Sequence, residues 1–153
     1  MPIRHIALAL AGVAAISTGC NRRAVLFEPT PIGQTIISDV LTGTVAAPVN
    51  EVFQSTFKTY VVGQGGGAVT ITLTSAVQTR PDGSLQTTVT MGLGAGTVVN
   101  GACVVPVTSF LHTPAGANPQ LSGSLAEGTY CIRVSDVTGQ VGPVAFSVTV
   151  THP

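Results

Sequence analysis

Residues able to do acid–base or covalent chemistry are scarce in this chain of 153 residues. Beyond residue 20 there are two histidines, His112 and His152. Neither accompanies a Gly-x-Ser-x-Gly elbow or a His-Glu-x-x-His helix. A Ser-His-Asp triad is defined by geometry, so it survives only as a spatial meeting of one of these rings with distant partners. Both read better as solvated, His112 in a loop beside Pro114 and His152 in a tail. The carboxylates are Glu28, Asp39, Glu51, Asp82, Glu127 and Asp136, and an acid–base pair of the glycosidase kind requires folding distant ones together. Asp82-Gly83 and Glu127-Gly128 read as turns. Calcium takes oxygen ligands and would draw on Asp39, Asp82 or Asp136 with loop carbonyls, but no EF-hand spacing is present. The run Gly63-Gln-Gly-Gly-Gly67 lacks the lysine and the following helix of a phosphate loop, and reads as a glycine-rich hairpin loop. Three cysteines, at 20, 103 and 131, have no histidine spacing that makes a zinc site. These residues predict a non-enzymatic protein with no cofactor and no metal.

Composition narrows the class further. Charged residues are 8% of the chain and the formal net charge is zero, so no electrostatic footprint for nucleic acid exists. Apolar residues make up 44%, enough for a core, with Val, Ala, Leu and Ile dominant and Thr and Ser the main polar types. That mixture suits half-buried strands better than helices. Aromatic residues are 5% and Trp is absent, which leaves little for a sugar-binding platform of exposed rings.

The N-terminus carries Arg4, then an apolar run from Ile6 to Ile16, too short to span a bilayer. Charge, short apolar region and small residues describe a secretory signal peptide. Its ending, Ser17-Thr-Gly-Cys20, resembles the lipobox of bacterial lipoproteins, with Ser17 where that family usually has Leu. The resemblance implies cleavage before Cys20 and diacylation of its sulfur, hence a membrane anchor at the bacterial envelope. An ordinary signal peptide cut at the same place is the alternative. An odd thiol in an exported protein needs an explanation. Lipidation of Cys20 leaves Cys103 and Cys131 to pair in an oxidising compartment, closing a loop of roughly 28 residues for about 3 kcal/mol. Two free thiols on a solvent face are the other reading.

The mature chain divides into a tether at residues 20–35, with Pro29 and Pro31 favouring extended backbone, and a domain at 36–153. Strands are expected at 39–45, 53–62, 69–74, 85–91, 103–110 and 121–125, with Pro106 marking an edge or bulge. Residues 92–97 and 113–119 read as loops. The most regular stretches are 128–136 and 142–151, where Tyr130, Ile132 and Val134, then Val144, Phe146, Val148 and Val150, fall on one face. The glycines between them suggest that the two form a hairpin. Arg133 falls on the outer face beside Cys131. Eight short strands separated by turns predict an all-β, two-sheet antiparallel sandwich of jelly-roll or Greek-key type.

Leu41-x-Gly-x-Val45, Val69-Thr-Ile-Thr-Leu-Thr-Ser75, Leu121-x-Gly-x-Leu125 with Glu127-Gly-Thr-Tyr-Cys-Ile-Arg-Val134, and Gly142-Pro-x-x-Phe-Ser-Val-Thr-Val150 form one pattern. It resembles the pre-peptidase C-terminal type of β-sandwich module and covers most of residues 36–153. With Met91-Gly-Leu-Gly94 and Thr151-His-Pro153, the chain is also similar to small bacterial lipoproteins. The resemblance implies a non-catalytic accessory role in secretion, folding or adhesion. The expected function is a lipid-anchored envelope module that binds or scaffolds another protein by lending a strand edge. A glycan- or calcium-binding module using the loops around 92–100 and 112–118 is the alternative.

Overall fold

The computed structural model describes residues 33–50, 52–137 and 140–153. The expected signal peptide 1–19, the lipidation site Cys20, most of the tether, Glu28 and Glu51 lie outside the described residues. In chain order the strands are β1 (Ile37–Val45), β2 (Ser55–Val62), β3 (Gly67–Thr79), β4 (Leu85–Gln86), β5 (Thr90–Val99) and β6 (Ala102–Val104). A 3-10 turn at Val107–Ser109 follows, then β7 (Phe110–Pro114), β8 (Leu121–Leu125), β9 (Gly128–Ser135) and β10 (Val144–His152).

The expected two-sheet antiparallel sandwich is what forms. One sheet runs β1-β10-β3, with β8 along residues 67–71 of β3 and β4 at its far end. The other runs β2-β9-β5, with β7 and β6 sharing the free side of β5. Each sheet therefore has four positions, and ten strands form where eight are expected, because β5 covers a stretch expected as a loop and the single strand expected at 103–110 is divided between β6 and β7.

Alternation builds the core. On β10, Val144, Phe146, Val148 and Val150 are buried and intervening residues face outward. On β3 the inward row is Val69, Ile71 and Leu73, then Ala76 and Gln78. The shift from odd to even positions coincides with a register slip opposite Ser147 and Val148, where one extra residue flips the following side chains. Leu73, Met91 and Leu93 are fully enclosed, each contributing about 1.5–3 kcal/mol of apolar burial.

Three expectations are corrected. The stretches at β9 and β10 are strands, but they belong to different sheets and are not a hairpin. Alternation specifies which face is buried and says nothing about which strand lies alongside. Likewise, the glycine run at 63–67 joins β2 of one sheet to β3 of the other. At Gly66, with φ of 64°, a side chain would strike the backbone of Leu125 and Ala126.

The third correction concerns Gly92, Gly94 and Gly96, expected in a loop. They are consecutive outward positions of β5, the strand paired with β9 on one side and with β6 and β7 on the other. Glycine is required there because another part of the chain lies on top. A Cβ on Gly92 or Gly94 would meet the Phe110 ring, one on Gly94 also the Val105 methyls, and one on Gly96 the Val104 carbonyl. Residues 104–110 thus cross a furrow in the outer face of β5. The expected strand at 103–110 is instead β6, the 3-10 turn and the start of β7, broken at Pro106.

Candidate functional site

The Cys103–Cys131 disulfide is formed and holds this crossing down. Cys131 lies on the outward side of β9 opposite Gly96, and Cys103 lies opposite Val98. Both are buried. Next along β9, the Arg133 guanidinium stands 5.5 Å from the centre of the Phe110 ring, which in turn meets His112 edge-on at 5.6 Å. Such cation–aromatic contacts contribute about 0.5–1 kcal/mol at partly exposed sites. Arg133 is on the outer face as expected, where it clamps Phe110 over the glycine furrow.

Among the described residues the histidines and carboxylates do not gather into one site, and the one pair that meets is His152 with Asp39. His112 is exposed but sits on β7 rather than in a loop. His152 corrects the expectation of a solvated tail. It is 2% exposed at the end of β10, its Nε2 is 3.1 Å from Asp39 Oδ2 and its Nδ1 is 2.9 Å from the Pro153 carbonyl. It continues the inward row Val144, Phe146, Val148, Val150, a signal that was present in the period-two pattern. Asp82 caps its own turn, accepting bonds from the Ser84 hydroxyl at 2.7 Å and the Ser84 amide at 2.9 Å. Among the described residues no three His, Cys, Asp or Glu side chains gather as a metal-binding group. The loop at 92–100 that a ligand site would have used is largely strand β5.

Asp136 is buried one residue past the end of β9, and no donor among the described residues reaches its carboxylate in hydrogen-bond geometry. Burial pushes its pKa up, opposed by the Val137 amide dipole. Because the folded-state pKa is raised, this group favours the fold when protonated and that contribution is lost as pH rises through the carboxylate range. Asp136→Asn is therefore expected to raise stability at pH 7, with the advantage shrinking as the pH is lowered. Urea midpoints of the two proteins across pH check this, and a gap that does not change with pH would contradict it.

What the fold leaves open is one sheet margin. Among the described residues, four marginal strands have five or more residues: β1, β2, β7 and β8. Three of these carry features that discourage strand addition. β1 has Asp39 on its inward side, and β2 has Lys58 on the same side as buried Tyr60 and Val62. β7 has His112 and ends at Pro114. β8, Leu-Ser-Gly-Ser-Leu, has no charge, no histidine and no proline. It pairs with β3 through Leu121–Ile71 to Leu125–Gly67, and among the described residues no strand pairs with its other side.

An apolar cleft lies beside this margin, between β8 and the 3-10 turn. Tyr60, Val69, Ile71, Ala95, Leu121 and Leu125 line a cavity of about 150 Å³. An adjoining cavity of about 180 Å³ shares Tyr60, Ala95, Ser109 and Leu125. Each has room for a small side chain. The Tyr60 hydroxyl is buried with no hydrogen-bond partner among the described residues, and burial, with a smaller effect from Tyr130, pushes its pKa up to about 12. The phenol therefore stays neutral, and the cleft carries no charge at its floor. Composition alone does not reveal this site. Its sequence signal is the absence of a protecting residue in 121–125. No protein-family model matches the chain, and no curated protein matches it.

Proposed function

We propose that the chain is a non-enzymatic, lipid-anchored module of the bacterial cell envelope that binds another protein by strand addition at β8. The anchor rests on the targeting pattern that ends at Cys20. The accessory role resembles that of pre-peptidase C-terminal modules. The observation that carries the binding function is the β8 margin, uncharged and unpaired among the described residues, with an apolar cleft directly beneath it.

Strand addition takes its affinity from main-chain hydrogen bonds and its selectivity from pockets for alternate side chains. Leu121 and Leu125 point toward the cleft while Ser122 and Ser124 face outward. A segment laid along β8 would place every second side chain over the cleft and bury it. The disulfide and the glycine furrow hold the opposite wall, since the 3-10 turn belongs to the crossing they fix.

The test is a photo-crosslinking amino acid placed at Ser124, compared with one at Thr42 on β1, in cells that export the full chain. A discrete protein adduct at position 124 and none at 42 is the expected result. Equal labelling at both positions, or none at either, would overturn binding through β8. Intact mass of the membrane-extracted chain tests the anchor: Cys20–Pro153 plus acyl chains is expected, and an unacylated soluble chain would remove it.

A further inference from the structure

This inference rests on strand addition at β8 and names the partner. We propose that β8 pairs antiparallel with β8 of a second copy of this chain, about a two-fold axis through Gly123. The strand Leu121-Ser-Gly123-Ser-Leu125 reads the same in both directions about its central glycine. An isologous two-fold contact needs a surface complementary to itself. A palindromic strand at an open margin meets that requirement residue by residue.

In this register Leu121 stands opposite Leu125 of the other copy, Ser122 opposite Ser124, and Gly123 opposite itself. A two-fold axis perpendicular to the sheet keeps each face on its own side. The leucines of both copies therefore lie in one row over their clefts, and the serines lie in one row on the outer face. Directly opposed residues come within about 4.5–5.5 Å at Cβ, close enough for apolar contact in one row and hydroxyl hydrogen bonds in the other. The glycine on the axis leaves the closest approach unobstructed, and a Cβ built there meets nothing within 4 Å.

The flanking residues agree with this register. The pairing stops at Pro119 on one side, because a proline has no amide to donate. Glu127 is the nearest charge along the chain. The two-fold puts the two copies of it at opposite ends of the joined strands, roughly 25 Å apart at extended spacing and beyond a Debye length. Cleavage before Cys20 removes Arg4 and leaves five basic and six acidic side chains, a formal net charge of −1 that sets up little long-range repulsion between copies. Val107, at 91% exposure on the 3-10 turn beside the cleft, is an apolar side chain available to the approaching copy.

The test uses the full chain. Gly123→Cys puts a thiol on the axis, and under mild oxidation it is expected to give a disulfide-linked dimer in several-fold higher yield than Thr42→Cys or the parent chain. S122K/S124K sets like charges opposite each other across the axis and is expected to abolish association, as is S122E/S124E. Mixing the two is expected to restore a heterodimer, because each lysine then faces a glutamate. Equal cross-linking at positions 123 and 42, or a mixture that stays monomeric, overturns self-pairing. The two readings fail separately. If the introduced thiol does not self-link while the photoprobe at Ser124 captures a different protein, the second copy is wrong and strand addition stands. If the photoprobe captures nothing, both fall.

Discussion

Changing Cys103 and Cys131 together to alanine is expected to lower the unfolding free energy by about 3 kcal/mol and the thermal midpoint by roughly 10 °C. The bond joins positions 28 apart, and on the chain-entropy account a loop of that length in the unfolded chain is what it restrains. Alanine is the informative replacement, because both side chains are buried and a serine hydroxyl would lose its partners in water. The denaturant profile separates causes. If the bond acts mainly on the unfolded chain, the urea m-value rises as the midpoint falls, since the denatured state expands once unlinked. A lower midpoint at constant m would place the effect in the folded crossing instead. An unchanged midpoint would mean that Phe110 and Val105, packed into the glycine furrow, already hold residues 104–110 without the sulfur link.

The reach of the sequence can be judged at particular residues. The inward rows at 130–134 and 144–150 were legible because a strand with one buried face writes its burial directly into alternation. The same rule places His152 inward, but its position near the chain end invited a solvated reading that its contact with Asp39 contradicts. Partnership was not legible. β9 and β10 face each other across the core, and nothing in either strand distinguishes that from lying side by side. The glycines of β5 mislead for a physical reason: glycine marks both a flexible loop and a strand closely covered by another segment. The covering residues, Val104, Val105 and Phe110, lie far enough along the chain that no local pattern links them. The disulfide is legible only through the odd cysteine count and an expected oxidising compartment, not through geometry. The β8 margin depended on knowing which strands stand at the edges, and so became visible only in the fold.

Gly96→Ala is expected to cost about 3 kcal/mol, near the upper end for added volume in a packed region, while Gly123→Ala is neutral or slightly stabilising. Both replace an outward or edge glycine of a strand by the same residue, so strand propensity cannot account for a difference. The surroundings can. A Cβ on Gly96 would fall on the Val104 carbonyl and close to Val105 Cα, which are main-chain atoms with no rotamer to yield, whereas the space at Gly123 is open. Retreat of the covering chain is blocked twice, by the pairing of Val104 with Thr97 and by the bond from Cys103 to Cys131. The cost should therefore fall when one of those restraints is removed. In the Cys103→Ala/Cys131→Ala background, Gly96→Ala is expected to lose part of its effect, with a coupling of about 0.5–3 kcal/mol typical of residues sharing one packed element. Urea unfolding of the four proteins measures that coupling. Strict additivity would show that β6 stays seated over β5 without the disulfide. Coupling would show that the glycine and the cysteines are one device, which keeps the wall of the β8 cleft in place.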